Sequence, residues 1–244
     1  MSAPAAMSLP ESHLKRRATK EYNAEKQRQE SRKVKLKKKN DRRTPFRHAA
    51  SYVREFKAHE AQAHRMQRAV RDAATAYVPD TEQLLCVVRI GGVSDMHPKA
   101  RKVLQLLRLG HLGNLVFLRL TRANMNMLRK VEPYVAYGYP SLKTVREVIY
   151  KRGHGRVGKG RVPLTDNSII ETALGQYGII CMEDLVHEIY TVGDNFKHAA
   201  NFLWPVKLSN LSGTMSARNS KLFKDGGQAG LRGKAINELV GKMN

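Results

Sequence analysis

The 244 residues carry 44 Lys plus Arg against 21 Asp plus Glu, a formal net charge of +23 and a pI of 10.3. Like charge at that density opposes compaction, and a polyanion relieves it by displacing condensed counterions. Nucleic acid is therefore the leading partner and an anionic membrane surface the second, while the absence of any run of about 18 apolar residues excludes a membrane-spanning helix.

Residues 1–17 lack the apolar stretch of a secretory signal. From Lys15 to Arg47 fifteen Lys/Arg stand against four acids. Lys15, Arg16, Arg17, Lys20, Arg32, Lys33, Lys35, Lys37, Lys38, Lys39, Arg42, Arg43 and Arg47 are candidate RNA contacts. Leu14, Tyr22, Val34 and Leu36 form no stripe, so the segment cannot bury enough apolar surface to fold alone. Disorder in the free protein and helix on RNA are expected. A solvated tail or a nuclear-targeting run is the compatible alternative. Thr44-Pro45 then predicts a second helix, with Thr as N-cap and Pro in the first turn. Ala49, Val53, Phe56, Ala63, Met66, Val70, Ala73 and Tyr77 make a narrow apolar stripe on it. That stripe packs on protein or, more weakly, forms a coiled-coil seam. Pro79 closes the segment.

Composition changes at residue 84. Leu84 to Ile90 reads as a buried strand ended by Gly91-Gly92. A helix follows from Pro98 to about Leu109, then a strand over 115–120, a helix over 123–131 and a strand over 134–137. This β-α-β-α-β order predicts a three-stranded sheet with two helices on one face. Lys99, Arg101, Lys102 and Arg108 on the first helix, and Arg119 and Arg122 around the second strand, either grip phosphates or form a wet face. Cys86 and Cys181 lie in apolar stretches with no Cys-x-x-Cys pairing. They read as buried reduced thiols of an intracellular protein, with no structural zinc. Further helices are expected over 142–151, 167–174 and 182–190, an irregular arm over 205–230, and a last helix over 231–243.

The sharpest local feature spans 151–161, with five cations (Lys151, Arg152, Arg156, Lys159 and Arg161), His154, four glycines and no acid. Glycine admits close backbone approach to phosphates, and the cations supply charge. The embedded G-x-G-x-x-G follows a helix rather than a strand, so it is no dinucleotide fingerprint. No Ser or Thr follows Gly-Lys, which excludes a P-loop. An RNA-clasping loop is the preferred reading, a solvated loop the other. Trp204 reads as a core anchor before a base-stacking residue. No nucleophile–base pair, metal set or cofactor motif is present. The chain is read as no enzyme, with no cofactor and no small-molecule substrate.

From about Leu84 to Trp204 the chain resembles the family of eukaryotic large-subunit ribosomal protein seven and its shorter bacterial relatives, numbered thirty. The residues that carry the resemblance include Lys102 to Leu109, Asn126 to Arg129, Val131 to Tyr134, Gly138-Tyr139-Pro140, Ile149 to Gly153, and Leu164 to Asn167. Tyr177 to Leu185, His187 to Gly193 and Asn201 to Pro205 complete the set, in the family's order. The resemblance implies an α/β fold with a ferredoxin-like β-α-β-α-β core, a long basic N-terminal helical extension and a helical C-terminal extension. It implies a structural constituent of the 60S subunit that binds and stabilises large-subunit ribosomal RNA near the central protuberance. Neighbouring ribosomal proteins are the other partners, no membrane is, and the place is the cytoplasmic ribosome after nuclear and nucleolar passage. The basic loop lies at the family's position for such a loop, but Gly155 to Gly160 is richer in glycine than the usual version.

The expected organisation is a basic RNA-binding extension over 1–80, the core over 81–140, and a helical extension with the Gly-rich loop over 141–204. An irregular arm and terminal helix complete it over 205–244. Two competing readings are a DNA-binding factor using 45–77 as a zipper, without a clean Leu seam, and an RNA-modifying enzyme, without a visible pocket.

Overall fold

The computed structural model describes residues 10–73, 83–92, 96–158, 160–210 and 221–244. The chain divides into two compact units, Met1–Ser51 and Tyr52–Asn244. Tyr77, Pro79, Lys159 and the middle of the expected 205–230 arm lie outside the described residues.

Helix α1 (Glu11–Ala73) runs unbroken through Pro45, so no new helix starts at Thr44. An interior proline costs about 3 kcal/mol because it removes an N–H and crowds the preceding turn. Here the flanks are rich in Lys, Arg, Gln and Ala, all good helix formers. The helix is also exposed at Asp41, whose carbonyl loses its main-chain donor and can be hydrated instead. The Thr44 hydroxyl is not a cap; it donates to the Asn40 carbonyl one turn back, at 3.0 Å. Every residue from Pro10 to Arg43 is exposed, as the missing stripe requires.

The second unit is built on a five-stranded sheet. Its centre is the predicted trio: β1 (Leu84–Arg89), β2 (Asn114–Arg119) and β3 (Val135–Gly138). Strand β1 pairs antiparallel with both neighbours, and all six of its residues are buried, so it reads as a continuous apolar run rather than an alternation. Helices α2 (Pro98–Leu106) and α3 (Arg122–Val131) cover one face. Leu85, Val87, Val116, Val135 and Tyr137 meet Leu104, Leu107, Leu128 and Val131 there.

The opposite face is equally dry. Leu84, Cys86, Val88, Leu115, Phe117 and Ala136 pack against α4 (Leu142–Arg152), α5 (Asn167–Leu174), α6 (Met182–Thr191) and α7 (Phe196–Phe202). Helix α8 (Ile236–Met243) adds Ile236, Leu239, Val240 and Met243. Each such fully buried side chain contributes about 1.5–3 kcal/mol. Both thiols are free and buried, and burial pushes Cys181 up to about 11.

Two strands beyond the expected three extend the sheet. Val206–Lys207 (β6) pairs antiparallel with β2, and Gly230–Gly233 (β7) pairs parallel with β3. Part of the expected irregular arm is thus sheet edge, and the last helix begins at Ile236 rather than Leu231. From α1, Tyr52 stacks on His187 with ring centres 3.9 Å apart, and its hydroxyl donates to Asp184 at 2.9 Å. Phe56 meets the Tyr190 ring edge-on. The predicted stripe therefore packs on protein at Phe56, while Val53 and Met66 stay exposed. Among the described residues no helix is long and apolar enough to cross a membrane.

Candidate nucleic-acid interface

Among the described residues the cations of α1 form few ion pairs. Lys15 pairs with Glu11 at 2.8 Å and Arg17 with Glu21 at 3.2 Å, both exposed one-turn contacts. Such pairs are worth only a few tenths of a kcal/mol. Arg16, Lys20, Arg32, Lys33, Lys35, Lys37, Lys38, Lys39, Arg42, Arg43 and Arg47 are exposed and form no ion pair among the described residues. At 3.6 residues per turn, consecutive cations such as Lys37, Lys38 and Lys39 point to different sides, so charge surrounds the helix instead of lining one face.

In the second unit the candidates divide. Lys99, Arg101 and Lys102 are exposed on α2, and Arg119 and Arg122 are exposed where β2 ends and α3 begins. Arg108 lies beyond the end of α2 in a left-handed conformation (φ 63°). Its guanidinium donates to the Ala200 carbonyl at 2.9 Å and the Leu203 carbonyl at 2.8 Å, at the end of α7. Burial, then the nearby Arg156, lower its pKa. Arg89 is buried and ties down the Gly91, Leu109 and Gly110 carbonyls. The sequence does not mark Arg89 at all, because a lone Arg at a strand end carries no pattern.

The predicted Gly-rich loop is a hairpin. Strands β4 (His154–Val157) and β5 (Gly160–Pro163) pair in register, and the chain turns at Gly158. Gly158 has φ +60°, as the primed turns of tight hairpins require. Gly155 serves packing rather than phosphate approach: a Cβ there would lie 2.5 Å from the Phe202 ring.

The cations of this segment also separate. Lys151 donates to the Asn244 carbonyl at 2.6 Å. Arg152 donates to the Lys207 carbonyl at 3.0 Å, and to the Ser209 hydroxyl and Asn244 carbonyl at 2.9 Å each. Arg156 and Arg161 instead stand exposed and directly opposite each other. His154 is half-buried beside them. Trp204, also half-buried, gives its main-chain N–H to the His154 carbonyl at 2.8 Å. Among the described residues no group of three or more His, Cys, Asp or Glu is placed to hold a metal.

The profile "Ribosomal protein L30p/L7e" matches residues 85–135, and "Ribosomal L30 N-terminal domain" matches 9–80. The chain is 54% identical over 199 residues to "Large ribosomal subunit protein uL30" of Neurospora crassa, covering 82% of this chain and 80% of that one. It is 54% identical over 200 residues to the protein of that name from Yarrowia lipolytica, with the same coverage. Against "Large ribosomal subunit protein uL30B" of Schizosaccharomyces pombe it is 46% identical over 239 residues, 98% of this chain and 96% of that one.

The chain belongs to the L30p/L7e family of ribosomal proteins. It is a large-subunit protein of the translation machinery and not an enzyme. The L30p/L7e match covers β1 to the start of β3, the sheet-and-two-helix core, and the N-terminal match covers all of α1. The family resemblance read from Leu84 to Trp204 is thereby confirmed.

Proposed function

We propose that this chain is a structural constituent of the 60S subunit that binds and stabilises large-subunit ribosomal RNA, supporting assembly and translation. Neighbouring ribosomal proteins are its other partners. It passes through the nucleus and nucleolus and works in cytoplasmic ribosomes. Residues 1–80 serve as the RNA-binding extension, 81–140 as the core, 141–204 as the helical extension bearing the basic hairpin, and 205–244 as the C-terminal part.

The observation that carries this reading is α1 before Thr44: cations on all sides, every residue exposed, and few ion pairs among the described residues. A helix with no apolar face gains little from packing, and its repulsion is removed by phosphates. The exposed Lys99, Arg101, Lys102, Arg119 and Arg122 extend the same chemistry to the sheet unit. A zipper is less favoured, because Phe56 of its seam is already spent on α6.

The test is a salt titration of binding to a large-subunit RNA transcript. Replacing Lys35, Lys37, Lys38 and Lys39 by Gln weakens binding. It also flattens the log–log salt slope by about 0.7–0.9 for each phosphate left without its cation. Unchanged affinity and slope would contradict the reading.

A further inference from the structure

The hairpin register sets Arg156 directly across from Arg161. Directly opposed residues hold their Cβ atoms about 4.5–5.5 Å apart, and like charges at that spacing destabilise a strand pair. Neither side chain forms an ion pair among the described residues. Strand alternation puts His154 on their face and Gly155 on the other. Arg161 Nη2 lies 3.2 Å from His154 Nδ1, which is also 2.9 Å from the Arg152 carbonyl. One ring nitrogen can donate to the carbonyl or accept from the guanidinium, not both. Arg108 adds a third cation nearby, anchored on the end of α7.

The hairpin is held so that this repulsion cannot relax easily. Gly155 sits against Phe202 and bridges to Leu203, and Trp204 bonds the His154 carbonyl. A backbone anchored before the ligand arrives, with its two arginines already set side by side, loses less freedom on binding than a mobile loop does. Arginine also suits phosphate oxygens through its planar fork of donors.

We propose that Arg156 and Arg161 form a two-pronged clamp for the phosphodiester backbone of ribosomal RNA, kept in place at the expense of the free protein's stability. The proposal rests on the RNA-binding reading and narrows it. Lys151 and Arg152 stand outside the clamp, because their donors already hold Lys207, Ser209 and Asn244.

The test uses the full chain and Arg161→Glu, which turns the opposed like charges into an ion pair. Amide exchange over 154–163 in the free variant slows about two- to five-fold. At the same time, affinity for a large-subunit RNA transcript falls at least about ten-fold, with a salt slope shallower by about 0.7–0.9. Lys130→Glu, an equal charge change on α3, leaves hairpin exchange unaltered and costs less affinity. If the wild-type chain binds no RNA, the RNA reading fails and takes the clamp with it. If wild type binds and Arg161→Glu binds equally, the clamp alone is overturned. Equal losses in the two variants would show a net-charge effect and overturn it too. Inorganic phosphate protecting the hairpin amides as well as RNA does would mark a free-phosphate site instead.

Discussion

Arg152 shows how much a cation's neighbours decide. By sequence it belongs with Lys151, Arg156, Lys159 and Arg161 in a single basic run. In the fold it lies at the end of α4, where its donors reach β6, Ser209 and Asn244. No local pattern reports that, because the partners are over fifty residues away. Arg152→Ala should therefore lower unfolding free energy by about 1–3 kcal/mol, since it strands acceptors that a charged donor had satisfied. Arg156→Ala should change it far less. Urea unfolding of the two variants distinguishes them, and equal effects would contradict the assignment.

Two tyrosines give a pH dependence with a definite sign. Burial, then a hydrogen bond to Glu183, pushes Tyr150 up to about 12. Burial, then a hydrogen bond to Asp184, raises Tyr52 further. A raised folded-state pKa stabilises the protonated form, so the contribution is complete below the unfolded value near 10 and is lost as pH rises through the folded value. Thermal stability should fall from about pH 10 to pH 12, and less steeply in Tyr150→Phe. A slope equal to wild type in that variant would remove Tyr150 from the explanation.

Among the elements, those with strong local periodicity are legible in the sequence and those made by long-range pairing are not. The three central strands, α2, α3 and the helices over 142–152, 167–174 and 182–191 lie within a few residues of expectation. Ser141 caps α4 by accepting the Thr144 N–H, as its side chain predicts. Strand β6 has two residues and β7 is half glycine, so neither carries a strand pattern; their partners in β2 and β3 create them. The hairpin reads as a loop in sequence because its glycines outweigh its single Val on each strand. Pro45 reads as a helix start because its strongest local meaning is a first turn.

The exposed part of α1 has the opposite character, with local propensity and no packing. Its amides from Lys15 to Arg43 should exchange within seconds in the free protein, since a helix held by exposed one-turn pairs opens readily. Bound RNA should slow them strongly, while amides of β1 remain protected in both states. Equal protection of α1 with and without RNA would contradict the proposal that RNA orders this arm.

Across the whole molecule the charge is segregated. From Val162 to Phe196 there is no Lys or Arg, yet Asp166, Glu171, Glu183, Asp184, Glu188 and Asp194 all fall there. These acids are partly spent inside the fold: Asp184 accepts from Ile180 and Cys181 at the start of α6, and Glu188 from Asn195. The excess of +23 is therefore concentrated in α1 and the α2–α3 layer, with smaller surpluses at the hairpin and over residues 197–244. Composition makes a polyanion partner legible at once. The division of the basic residues between structural and outward-facing roles requires the fold, because it depends on which carbonyls lie within reach.

The most direct test of large-subunit residence is sedimentation of epitope-tagged chain from cell extract through a sucrose gradient after a high-salt wash. Co-migration with 60S subunits and 80S ribosomes, retained through the wash and lost on RNase treatment, is the expected result. Tagged chain that stays at the top of the gradient, or follows the chromatin fraction, would contradict it.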